Sequence, residues 1–80
     1  MSTIRSYLRT TLQRVIAGGD ITTDELDSAI ADPLSLKIDE REAWEELSHW
    51  ADDADIRASD PRYAGFKREW MQKRLDALVE

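Results

Sequence analysis

Cysteine is absent, which excludes a disulfide framework and any thiolate zinc site. There is one histidine, so a His-based catalytic or metal centre would have to be built around that single side chain. No apolar run approaches the roughly 20 residues that a membrane-spanning helix needs. Arg5 and Arg9 stand where a secretory signal would need an unbroken apolar stretch. A soluble, cytoplasmic protein is the expectation. Acid is missing as well, but only from the first 19 residues.

What is present fits one small helical domain. Eighty residues bound the chain to a single domain, 1–80, near the lower end of what folds without staples. Cohesion must come from packing, and 41% apolar residues with three tryptophans make a compact core feasible. Net charge is −6, and it is unevenly spread. Residues 1–19 carry +3, residues 20–60 carry −11 and residues 61–80 carry +2. Two explanations compete: the basic terminal helices neutralise the acidic middle from within, or the middle offers an acidic surface to a basic partner.

The fold class is all-α, as an antiparallel, four-helix bundle-like domain. Ile4, Leu8, Leu12, Val15 and Ile16 recur at helical spacing over 3–17, with Ser2 or Thr3 as a cap and Arg5, Arg9 and Gln13 on a different face. Gly18 and Gly19 end this helix. Thr22 and Glu25 form a capping box, and Ile21 and Leu26 a hydrophobic staple, opening a short helix over 23–31 with Leu26, Ala29 and Ile30 inward. Pro33 stops it. Leu34, Leu36 and Ile38 alternate with polar residues and predict an extended connector whose apolar side chains tuck against the core.

A third helix, over 40–53, is expected from a second box at Asp39 and Glu42. Ala43, Leu47, Trp50, Ala51 and Ala54 form its inner face, with Trp44 at the edge. Residues 52–60 are polar and turn-rich. Asp60 as N-cap and Pro61 at N1 begin a last helix over 61–79. Its predicted inner face is Tyr63, Phe66, Trp70, Ala77 and Leu78, with Met71 and Leu75 beside it and Gly65 allowing a close approach. Arg74 falls inside that stripe, so it is predicted to reach a carboxylate of the central helices.

Chemistry is poorly provided for. Serine hydrolysis would need His49 as its base, and this residue falls on the polar face of the third helix. A surface histidine among acids explains it better than catalysis, which needs several convergent groups. A calcium loop starting at Asp53 lacks glycine at Ala58 and glutamate at Ala64, and one starting at Asp20 fails likewise at Glu25 and Ala31. Glu46 and His49 supply one Glu-x-x-His pair where a di-iron bundle needs two. No enzyme activity, cofactor or metal is expected. Arg5, Arg9 and Arg14 with Lys67, Arg68 and Lys73 could make a basic strip for nucleic acid, but net negative charge opposes phosphate. A membrane-surface role is weaker still, with Tyr7 as the only aromatic anchor on the first helix.

The most unusual feature is the carboxylate face of the third helix. Glu42, Glu45, Glu46, His49, Asp52 and Asp53 share it, and Asp24 and Asp27 extend it on the second helix. Like charges at these spacings repel by about 0.2–0.5 kcal/mol per pair. A solvated face is the ordinary explanation. The functional one is a protein-interaction module that docks a basic partner. In size and charge alone the chain resembles small bacterial immunity proteins that neutralise nuclease toxins with carboxylate-rich surfaces. That resemblance shares no motif and transfers no site residue. A nucleic-acid-associated regulator and an oligomeric scaffold, with the aromatics pairing copies of the chain, are the alternatives.

Overall fold

One spacing occurs three times in the chain. Arg5, Leu8, Leu12 and Val15 fall at i, i+3, i+7 and i+10, as do Glu40, Ala43, Leu47 and Trp50, and again Arg68, Met71, Leu75 and Leu78. Each series is a stripe along one face of a helix, with a charged residue at its head. The nine apolar members are all buried, none more than 9% exposed. They are the centre of the core. Fully burying a leucine stabilises by about 1.5–3 kcal/mol, so these stripes, joined by Ile21, Leu26 and Ile30, hold the fold.

The computed structural model describes residues 3–78. The elements are α1 (Thr3–Ile16), α2 (Thr23–Ala29), a 3-10 turn (Pro33–Ser35), α3 (Ile38–Asp52), α4 (Ala54–Ser59) and α5 (Pro61–Ala77). There is no strand among the described residues. The all-α expectation holds, with five helices among the described residues instead of four. Helices α1, α3 and α5 pack together as the core layer, α2 lies against α3, and α4 against α5. The start of α1 at Arg5 meets the start of α3 at Asp39 and Glu40, so these two helices run the same way. Helix α5 runs against both: Arg68 Nε donates to the Val15 carbonyl at 3.1 Å, and Arg9 donates to the carbonyls of Leu75 and Leu78. Each arginine thereby adds a side-chain donor to carbonyls at the C-terminal end of the opposite helix.

Local signals account for most helix ends. Gly18 N–H donates to Val15 and Gly19 N–H to Arg14, at 3.0 and 2.8 Å, the paired bonds of a Schellman motif. Gly18 takes φ +105°, and a Cβ on Gly19 would lie 2.7 Å from the Arg14 carbonyl oxygen, so both positions require glycine. Thr22 Oγ1 accepts from Glu25 N–H at 3.2 Å, and the Ile21–Leu26 staple is buried. Asp60 accepts from Arg62 N–H at 3.0 Å ahead of Pro61. The proposed Ser2 cap lies outside the described residues.

Several expectations need correction. The α2 box closes on one side only, because Glu25 turns instead to Arg14, 3.0 Å away through both oxygens. Ala29 is exposed. Helix α3 begins at Ile38, with Lys37 as N-cap and Glu40 accepting from the Lys37 N–H at 3.2 Å, so the Asp39–Glu42 box does not form. The connector is a 3-10 turn, not an extended one. Of its apolar residues only Leu36 packs on the core, while Leu34 and Ile38 are 75% and 80% exposed. Ala54 is exposed, and it opens α4, which lies in the segment read as turns and has no buried residue. Helix α5 is rotated from its expected face. Met71 and Leu75 point inward with Leu78, whereas Phe66 is 55% exposed and Ala77 lies outside. A Cβ on Gly65 would meet nothing within 4 Å, so no helix approaches there.

A candidate protein-interaction face

The heads of the three stripes bring charge into the structure. Glu40 is 5% exposed, and it lies on the same line as Ala43, Leu47 and Trp50. Its Oε2 meets Arg5 Nε at 3.2 Å and its Oε1 the Lys37 N–H, so both oxygens have donors. Arg5 also reaches Asp39 at 2.9 Å. A buried carboxylate survives only with such partners. Sequence reasoning placed Arg5 on a different face from the apolar residues and gave Glu40 no role. The repeated spacing was the signal that could have found both.

A second cluster closes the other end of the bundle. Trp50 Nε1 donates to Asp20 Oδ1 at 2.9 Å, and Arg57 of α4 lies 4.0 Å over the indole while reaching the same oxygen at 3.4 Å. Partial burial pushes the Asp20 carboxyl up. The Ile21 N–H, the Trp50 N–H and the charges of Arg57 and Arg14 outweigh it and hold the group below its ordinary value. With no buried apolar side chain of its own, α4 is held here by Arg57, whose side chain is 11% exposed, as a cation over an aromatic ring.

The carboxylate face of α3 divides into two rows. In the row facing α5, Glu42 meets Arg74 at 2.9 Å, and Glu46 lies between Lys67 at 3.6 Å and Arg74 at 3.9 Å. Asp53 accepts from the Tyr63 hydroxyl. That hydrogen bond, burial and the Asp53 charge push the Tyr63 phenol up to about 12. The expectation that Arg74 finds an acid of the central helices is met. In the outward row, Glu45, His49 and Asp52 are exposed at i, i+4 and i+7. Among the described residues Glu45 answers only Arg41, on its own helix, at 3.6 Å. Asp52 accepts from Thr23 Oγ1 at 3.2 Å, which joins the row to α2. Asp24 and Asp27 are exposed there. Of the eight residues singled out, Glu42, Glu46 and Asp53 therefore turn to α5, and Asp24, Asp27, Glu45, His49 and Asp52 remain open.

The basic strip is largely used within the molecule. Arg5, Arg9, Arg14, Lys67 and Arg68 all meet acceptors of other elements. Lys73 lies 4.5 Å over the Trp70 ring. Among the described residues no group of three acidic or histidine side chains gathers to hold a metal, and no helix is long and apolar enough to cross a membrane. In comparison with known proteins, no family matches the chain, and no curated protein or solved structure matches it.

Proposed function

We propose that this protein is a non-enzymatic, cytoplasmic interaction module that docks a basic protein surface on the outward carboxylates of α2 and α3. One observation carries the reading. Glu42, Glu46 and Asp53 have partners on α5, whereas Glu45, Asp52, Asp24 and Asp27 stay exposed. Asp24 and Asp27, at i and i+3, repel each other by tenths of a kcal/mol, and among the described residues none of the open acids meets α5. Charges that cost stability are the ones that function explains best. An enzymatic role would need convergent groups in an enclosed site around His49, and His49 stands exposed. A nucleic-acid role draws less support, since five of the six strip cations already have internal acceptors.

The test uses a helical lysine–leucine peptide as a basic probe. Titration should show binding that weakens as salt rises. Asp24→Asn, Asp27→Asn, Glu45→Gln and Asp52→Asn together should weaken it by about tenfold or more. Unchanged affinity in that variant removes the reading.

A further inference from the structure

The outward face of α5 carries what the outward face of α3 lacks. Phe66 is 55% exposed, edge-on to Trp70 at 6.2 Å, and Lys73 covers the same indole. Arg62 and Lys73 are exposed, with exposed Glu69 between them on the same face, and no ion pair engages either cation among the described residues. Aromatic rings interleaved with open cations make a surface complementary to acid with an apolar margin. The chain itself carries exposed acid, in the outward row of α3.

The two rows also match in level. Glu42 beside Arg74, Glu46 beside Lys67 and Asp53 beside Tyr63 fix the height of α3 against antiparallel α5. At these heights Glu45 lies within a turn of the level of Lys73, His49 is level with Phe66, and Asp52 is level with Arg62. A twofold axis parallel to the two helices preserves every height. It sets α3 of one protomer against α5 of its partner, antiparallel, as within one chain.

We propose that the basic partner of the α3 face is a second copy of this chain, in a closed twofold dimer built on α3 and α5. Glu45 then faces Lys73 and Asp52 faces Arg62, twice over, and the Phe66–Trp70 pairs are covered. The pairing is isologous, so it closes and leaves no complementary face to extend a filament. Packing α5 directly on its own copy would set open cations against each other. The inference rests on the reading above, that the outward carboxylates are a contact surface, and it names the partner.

Sedimentation equilibrium of the full chain tests it, with two charge-reversed variants: Glu45→Lys with Asp52→Lys, and Arg62→Glu with Lys73→Glu. The parent should show a reversible monomer–dimer equilibrium that weakens with salt. Each variant alone sets like charges together at both contacts and should associate about tenfold more weakly or less. An equimolar mixture restores opposite charges at both contacts and should recover the dimer. Far-UV circular dichroism of each variant verifies the helices. A parent monomeric up to on the order of 1 mM, or a dimer indifferent to both reversals, or a mixture that fails to recover, overturns the proposal. If that monomer still binds the lysine–leucine peptide through Glu45 and Asp52, the second copy is wrong and the contact surface stands. If it binds neither, both fall.

Discussion

Glu45 and Glu46 are adjacent in sequence and differ in what surrounds them. Glu46 is 15% exposed between two cations of α5, whereas Glu45 is 49% exposed and answers one arginine of its own helix. A partner on α5 likewise separates Glu42 and Asp53 from His49 and Asp52, although the Glu42 side chain is itself 44% exposed. The inner row joins two helices, and the outer row joins nothing within the α3–α5 pair. The comparison shows that one carboxylate-rich helix can carry structural and available charge side by side, sorted by an angle of about 100° per residue.

The strongest way to sharpen the contrast is to begin where burial is deepest. Glu40→Ala removes the partner of a mostly buried Arg5, whose side chain is 16% exposed. Breaking a buried pair from one side costs about 3–5 kcal/mol. The lower end is expected, since Asp39 keeps a contact with Arg5. Chemical denaturation measures it. Glu46→Ala comes next, leaving Lys67 and Arg74 at 17% and 29% side-chain exposure with one carboxylate fewer. A loss of about 1–2 kcal/mol is expected for these half-buried cations.

How much of this was legible depends on which signals competed. Caps and breakers were unambiguous: Gly18–Gly19, Thr22 and Asp60–Pro61 each placed a boundary within about two residues. Arg74 was legible because a cation inside an apolar stripe must find acid. Arg5 and Glu40 head stripes of the same kind, yet as terminal members each looked solvent-facing until the opposite helix supplied its partner. Helix α5 misled through abundance. Its aromatics and its smaller apolar residues cover most of its circumference, and a layer of three helices has room for one arc only. Met71, Leu75 and Leu78 fill that arc, so Phe66 is left outside. Helix α4 was illegible because none of its apolar side chains is buried, which removes the periodicity that sequence reading relies on. The residues of the candidate face could be read from the sequence, but which half would be open depended on the rotation of α5.

Asp53 gives a pH-dependent version of the contrast. The Tyr63 phenol has its folded pKa raised from 10.0 to about 12. Its contribution to stability is therefore complete below pH 10 and is lost as pH rises through 12. The parent should lose stability across that window, and Tyr63→Phe should lose less of it. Thermal melts between pH 9 and about 12 compare the two. Asp20 has the opposite sign. Its folded pKa lies below 3.8, so its contribution is present above that pH and fades as pH falls through the folded value.

The smallest stability effect is expected in the outer row, and it is the most informative. Glu45→Gln with Asp52→Asn removes two exposed charges, and each exposed pair contributes about 0.2–1 kcal/mol at most. Removing Glu45 loses a contact with Arg41, and removing Asp52 loses one with Thr23. Relief of repulsion along an acidic helix offsets both. Denaturation midpoints should therefore shift little, by no more than about 0.5 kcal/mol. Self-association should fall in the same variant, because the lost charges face Lys73 and Arg62 of a second copy. A variant as stable as the parent but monomeric would separate the work of the two rows. A variant that loses stability on the scale of Glu46→Ala would mean that the outer carboxylates also hold the fold, and the division into two rows would fail.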